Sequence, residues 1–413
     1  MTTSETGGRP FNRRDFIQTG AAATATAVSL AAARPGATAS AQEPAAKQAG
    51  ELPRRTLGKT GVDVTILTLG TWRSPGLDRL LRYAYANGVR YIDTAKSYGS
   101  EPAIGNWLTA MPEIRKQIFL VTKDHPNTPK QLIAQLDERL KALKTDYIDL
   151  IYIHGIGKDY GDASLEWPKS KEFKETIAAI KKTGKAKFVG FSCHDSKRAE
   201  YLQAAADGGF VDAVMVQYTP WLDKDSALNK ALDACHKKGI GLISMKQVAG
   251  QSDKILDVVP DRVPSLKEKG LSPYQGLLHA IWTDERITSS CVSMRNTDQI
   301  REDTEAARKF QPLKTVEIEQ LRDACLAAGP TFCADCDGRC ARAAGTGAAL
   351  GDLTRLITYH DQYGYRGEAR RLYAEMAESE RDWTGADLDA ARKACPNGLN
   401  FAQLLERVEK HLA

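Results

Sequence analysis

The chain has 413 residues, 42% hydrophobic and 26% charged, enough for one large domain with a smaller one beside it. Its net charge of +5 is spread along the sequence with no long basic block, so nothing in it points to nucleic acid. No stretch approaches the ~20 consecutive apolar residues of a membrane span.

The amino terminus reads as a targeting segment covering residues 1–41. Asn12-Arg13-Arg14-Asp15-Phe16-Ile17 has the form of a twin-arginine signal, followed by a weakly hydrophobic Ala/Thr-rich stretch from Gly20 to Ala33. Ala39-Ser40-Ala41 is a small-x-small cleavage site that places the mature start near Gln42. The alternative is a general secretory signal whose basic end happens to hold two arginines; the weak apolar stretch and Arg34 just behind it argue against that. The expectation is an exported, periplasmic protein that meets the twin-arginine machinery already folded.

A polar linker (residues 42–53) follows, and then β-type runs alternate with helical ones from 54 to 310. This is the pattern of an α/β fold with a parallel sheet. Strands are expected at 64–70, 90–94, 118–123, 148–153, 187–192, 213–217, 240–245 and 288–293, and eight strands with helices between them predict a (β/α)8 TIM barrel. QLIAQLDERLKAL and KEFKETIAAIKKTGK carry apolar residues three and four apart, the spacing of amphipathic helices, and Gly184 closes the second. Residues 311–413 read as a small helical, cysteine-containing region.

Four residues stand at or just past the ends of the early strands: Asp93, Tyr98, Lys123 and His154. Any one of them alone is ordinarily a cap or a surface group. Together they form a proton-handling set at the end of a barrel where chemistry is built. Reducing a carbonyl needs a proton on oxygen, and a tyrosine can give one, although its unperturbed pKa of about 10 is high. An ammonium beside the phenol favours the phenolate, a carboxylate holds the ammonium, and an imidazole orients the carbonyl oxygen.

This arrangement resembles the aldo/keto reductases. RTLGKTGVDVTILTLGTW, YIDTAKSYGSE, FLVTK, DYIDLIYIHG, FVGFSCH, VQYTP and SMRNTDQIRED carry the resemblance, which spans about residues 54–310. It implies an NAD(P)H-dependent oxidoreductase with Tyr98 as general acid/base, Lys123 and Asp93 as its tuning pair and His154 as orienter. It further implies that Gly70, Thr71 and Trp72 approach the nicotinamide, that Ser192 and Gln217 bond its carboxamide and that Tyr218 stacks on its ring. Ser293, Arg295 and Asn296 would meet the adenosine end, with Gln299 and Asp303 reaching the adenine. Arg295 favours NADP(H), since a guanidinium matches a phosphate. Cys193 and Thr219 stand where the family often has asparagine. His125 and His194 read as neighbours of the site, and Tyr160, Trp167 and Trp221 as candidates to line a pocket for a small carbonyl or alcohol substrate.

Cys333, Cys336 and Cys340 form C-x-x-C-x-x-x-C, and Cys395-Pro396 follows downstream. Some relatives carry carboxy-terminal cysteines of the iron–sulfur type, and this tail resembles theirs, implying four thiolates on a [4Fe–4S] cluster. Zinc, two disulfides, or thiols that have lost their cluster fit the same residues. Cys193, Cys235 and Cys291 read as buried small hydrophobes. A rival function follows from the tail: an electron-transfer module exchanging electrons with a redox partner, with the barrel as a platform.

Overall fold

The computed structural model describes residues 50–157, 160–195, 197–248, 256–257, 259, 262–328, 333, 338–361 and 364–413. The signal segment therefore lies outside the described residues, as does Cys336. None of the described helices is long and apolar enough to cross a membrane.

A two-stranded hairpin, β1 (Arg54–Thr56) and β2 (Asp63–Thr65), precedes the barrel. The eight barrel strands are β3 (Leu67–Gly70), β4 (Tyr91–Asp93), β5 (Phe119–Asp124), β6 (Ile148–Ile153), β7 (Ala186–Cys193), β8 (Ala213–Gln217), β9 (Gly241–Met245) and β10 (Ile287–Val292). They close in the order β10-β3-β4-β5-β6-β7-β8-β9, and every neighbouring pair is parallel. Each strand falls where the sequence places one. The exception is the first, where the expected run 64–70 divides between hairpin strand β2 and barrel strand β3.

Strand alternation sorts the side chains into two layers. Tyr91, Phe119, Val121, Leu150, Tyr152, Ala213, Met215 and Ile243 fill the barrel's interior, with Leu57 and Val64 of the hairpin region in the same cluster. Their neighbours Ile92, Leu120, Ile151, Ile153, Val189, Val214 and Val216 face outward into the core under the helices. The interior is packed tightly enough to dictate a glycine. A Cβ on Gly190 would lie 1.8 Å from the Ala213 carbonyl oxygen.

The helix layer follows from amphipathic runs with defined ends. Helix Lys171–Thr183 starts at Ser170, whose side chain accepts from the Phe173 amide, buries Phe173, Thr176, Ile177 and Ile180, and stops at Gly184 with φ +71°. Helix Leu132–Leu143 buries Leu132, Leu136, Leu140 and Leu143 in the same three-and-four rhythm. Helix Thr315–Ala328 also belongs with the barrel, since Leu321, Ala324 and Cys325 join its core.

Beyond residue 338 the chain builds a second small core from Cys340, Leu350, Leu353, Ile357, Phe401, Leu404, Leu405 and Val408, among others. Helices Leu350–Asp361 and Phe401–Leu412 supply most of it. This region touches the barrel near the end of β3: Trp72 packs edge-on against Tyr365 at 6.1 Å, and Arg73 pairs with Glu368 at 3.2 Å.

Candidate active site

The inward-facing register of the strands selects the site. One step beyond the interior residues Tyr91, Val121, Tyr152 and Met215, the same face presents Asp93, Lys123, His154 and Gln217. The apolar interior is thus topped by a ring of polar groups at the carboxyl ends of the strands. Tyr98 enters from outside the ladder, on a short turn (Lys96–Tyr98) ended by Gly99 at φ +67°.

Lys123 and Asp93 form a buried ion pair, with Nζ 2.7 and 2.5 Å from the two carboxylate oxygens. Lys123 also donates to the Thr94 carbonyl at 2.9 Å. The Tyr98 ring lies 5.1 Å from that ammonium and meets the His154 ring edge-on at 5.5 Å. Ser97 Oγ sits 3.4 Å from His154 Nδ1, and His125 packs against His154 at 4.5 Å. The four expected residues are therefore gathered in one place.

The electrostatics refine the expectation for Tyr98. Burial pushes its phenol above the usual range, and the Lys123 ammonium only partly offsets that. Tyr98 is consequently a protonated donor at neutral pH. Burial works against the charge on Lys123, but Asp93, then Tyr98 and Cys291, more than compensate and hold it above the ordinary lysine range. Burial raises Asp93 against the pull of Lys123. His154 is driven down to about 2, first by burial and then by Lys123, His125, His194 and Lys246, so it serves as a neutral imidazole.

That shift has a stability consequence with a definite sign. An unfolded histidine gains its proton near pH 6.5, whereas folded His154 does not. Stability is therefore fully present above about pH 6.5 and declines below it, by up to about 1.4 kcal/mol per pH unit from this residue. His154→Gln should flatten the loss of urea midpoint between pH 7.5 and pH 5. Parallel slopes for variant and wild type would contradict the assignment.

Residues expected at the cofactor divide into two groups. Gly70 pairs with Asp93 in the ladder, and a Cβ there would lie 3.0 Å from Cys291 Sγ and 3.3 Å from Ser293 Oγ. Thr71 is buried, its hydroxyl 2.8 Å from Ser100 Oγ, while Trp72 is half-buried against Tyr365. Ser192 accepts from the Gly155 amide at 2.8 Å. Gln217 faces inward, and its buried Oε1 has no hydrogen-bond partner among the described residues. An orphaned amide oxygen on the inward face is what a carboxamide would satisfy.

Tyr218 is placed differently from the expectation. Being the next residue along, it turns outward into the core beneath the helices and donates its hydroxyl to Asp284 at 2.8 Å. The apolar surface beside Gln217 is instead Met245, which pairs with it in register and packs on the barrel interior. On the far side, Arg295 is exposed, and its backbone N–H donates to the Gln299 side chain at 2.7 Å. Asn296 caps helix Thr297–Arg308, and Asp303 is buried within that helix. Asn296, Gln299 and Asp303 thus have structural duties, and the exposed Arg295 side chain faces solvent.

Cys291 was not expected here. It lies near Asp93 inside the barrel, and burial followed by the Asp93 charge pushes its thiol well above the usual range. The alternation of β10 is the signal that marks it, since Cys291 stands on the inward face.

Of the tail cysteines, Cys340 is buried in the C-terminal core, Cys395 packs against the same core, and Cys333 lies near Gly351. Among the described residues no three or more His, Cys, Asp or Glu gather as a metal site.

Comparison with known proteins agrees with this fold. Residues 67–325 match the profile of the Aldo/keto reductase family. The chain is 23% identical to the L-glyceraldehyde 3-phosphate reductase of Escherichia coli O157:H7, over 66% of this chain and 92% of that one. It is 26% identical to the glycerol 2-dehydrogenase (NADP(+)) of Saccharomyces cerevisiae, over 64% and 88%. A thermostable aldo-keto reductase solved with the inhibitor epalrestat superposes with a TM-score of 0.53 at 25% identity, covering 66% of this chain and all (100%) of that one. The chain belongs to the aldo/keto reductase family of oxidoreductases.

Proposed function

We propose that the protein is an NADP(H)-dependent reductase of a small carbonyl compound, or the reverse alcohol dehydrogenase, with Tyr98 as its general acid/base. The observation that carries this reading is the buried Lys123–Asp93 pair set beneath the Tyr98 ring with His154 alongside. When bound, the nicotinamide supplies the hydride. Everything else falls to the chain: Gln217 and Ser192 engage the carboxamide, His154 orients the carbonyl oxygen and Tyr98 protonates it. Lys123, anchored by Asp93, compensates charge on the phenol as its proton leaves. Arg295, exposed at the start of helix Thr297–Arg308, is the group suited to a 2′-phosphate. A fluorescence titration tests this part: NADPH should bind at least tenfold tighter than NADH, and Arg295→Ala should erase the difference. Equal affinities in the wild type would remove the NADP assignment.

A second reading concerns the tail. Helices Arg339–Ala343 and Leu388–Ala394 bring Cys340 and Cys395 against one small core, which favours a shared thiolate site completed by Cys333 and Cys336. A visible absorption band that bleaches with dithionite, in protein purified without oxygen, would establish a [4Fe–4S] cluster and a role in electron transfer. Colourless protein would dismiss both. The Arg13-Arg14 segment supports export by the twin-arginine route to the periplasm, tested by loss of export in an Arg13→Lys, Arg14→Lys variant.

A further inference from the structure

The mouth of the barrel carries a positive charge that the reduction of a neutral carbonyl does not use. Lys246 stands one residue past β9, at the same end as His154 past β6 and His194 past β7. Its backbone has φ +52°, a conformation that non-glycine residues rarely adopt and that functional sites tolerate. Its ammonium lies 3.5 Å from the Tyr359 hydroxyl and 6.0 Å from that ring, while the Arg355 guanidinium lies 5.8 Å from the same ring. Tyr359 and Arg355 come from helix Leu350–Asp361, so the C-terminal region reaches over the barrel at this point.

The carboxylates at the mouth are already committed. Asp93 is held by Lys123, Asp124 by Arg139 at 3.2 Å and Glu368 by Arg73 at 3.2 Å. Arg355 is shared with Asp352 at 2.8 Å. Lys246 has no acidic partner among the described residues. Its field reaches the catalytic centre: Lys246 is the leading cause, ahead of burial and Arg355, of the depressed pKa of His194, and it also depresses His154. The His194 ring is adjacent to that centre, since a Cβ on Gly155 would lie 3.6 Å from its Nε2. Two neutral imidazoles beside an exposed ammonium with no carboxylate partner among the described residues leave a positively charged surface at the mouth, where a ligand's negative charge is drawn in and oriented.

We propose that Lys246, supported by Arg355 across Tyr359, is the anchor for an anionic group on the substrate itself, so that the protein acts on a carboxylate- or phosphate-bearing carbonyl compound. The site is built jointly by the barrel and the C-terminal helices. This rests on the carbonyl-reductase reading above and adds the substrate's chemical class. The same cations would also suit the phosphates of the dinucleotide, and the test separates the two sources.

The experiment compares 4-carboxybenzaldehyde with its neutral methyl ester, methyl 4-formylbenzoate, as substrates of the wild type, Lys246→Met and Lys246→Arg. The wild type should favour the carboxylate by at least tenfold in kcat/KM. Lys246→Met should abolish that preference through a higher KM for the carboxylate, and Lys246→Arg should restore most of it. The NADPH dissociation constant should move less than twofold in each variant. Equal kcat/KM for the two aldehydes in the wild type would overturn the proposal. So would a Lys246→Met variant that loses NADPH affinity and keeps its preference, since the cations would then hold the cofactor. Should neither aldehyde be turned over, the carbonyl-reductase reading fails separately. Calorimetric binding of 4-carboxybenzaldehyde then decides the anion site, and binding no tighter than that of the ester would overturn it.

Discussion

Tyr98→Phe should lower the rate of carbonyl reduction by about 10²–10⁴-fold while leaving NADPH affinity and the urea midpoint unchanged. The substitution keeps the ring that packs against His154 and removes only the hydroxyl, so the loss reports proton transfer rather than packing. A loss of this size corresponds to about 3–5 kcal/mol of transition-state stabilisation. The pH profile sharpens the expectation. Burial holds the Tyr98 phenol above its ordinary value, so its proton is present throughout the neutral range. Reduction should run on a plateau through pH 9 and fall only at more alkaline pH. The reverse oxidation needs the phenolate and should rise with pH over the same interval. A Tyr98→Phe variant within tenfold of the wild type would assign the proton to another group.

Lys123→Met should damage both fold and activity, and the two losses can be separated. Asp93 is 2% exposed, and its charge is balanced by Lys123. Removing the cation leaves a buried carboxylate alone, at a cost of about 3–5 kcal/mol unless the carboxyl takes up a proton. The urea midpoint should therefore fall at neutral pH and recover in part as the pH is lowered. The double variant Asp93→Asn, Lys123→Met should regain much of the stability, because no orphan charge remains. It should stay inactive, because the phenol has lost its charge partner. A double variant as unstable as Lys123→Met would show that packing, not the unpaired charge, carries the effect.

Much of this architecture is legible in the sequence because strands impose a period of two. Runs such as VRYID and IDLIYIH reveal both the strand and, through alternation, which residue at its end looks into the barrel. Asp93, Lys123, His154 and Gln217 all keep step with an interior residue two positions earlier. Tyr218 breaks step by one position, and that single shift sends its ring outward to Asp284 and leaves Met245 beside Gln217. Cys291 was hidden for the opposite reason: a small apolar-looking residue on the inward face ends up beside a charged pair that is distant in sequence. The contributions of Tyr359, Arg355 and Tyr365 were not legible at all. They depend on where a separate helical region docks, and local periodicity carries no information about that.

Hydride transfer from NADPH to a carbonyl, driven by Tyr98, Lys123, Asp93 and His154, is the activity proposed for this protein. The most direct measurement is a stopped-flow experiment. The NADPH-loaded protein is mixed with a panel of small aldehydes, including the carboxylate-bearing one, and absorbance is followed at about 340 nm with unlabelled and 4-deuterated NADPH. The proposed hydride transfer requires a stoichiometric loss of that absorbance, slowed by deuterium and slowed by at least about a hundredfold in Tyr98→Phe. NADPH that binds to the wild type and is never oxidised by any aldehyde would contradict it.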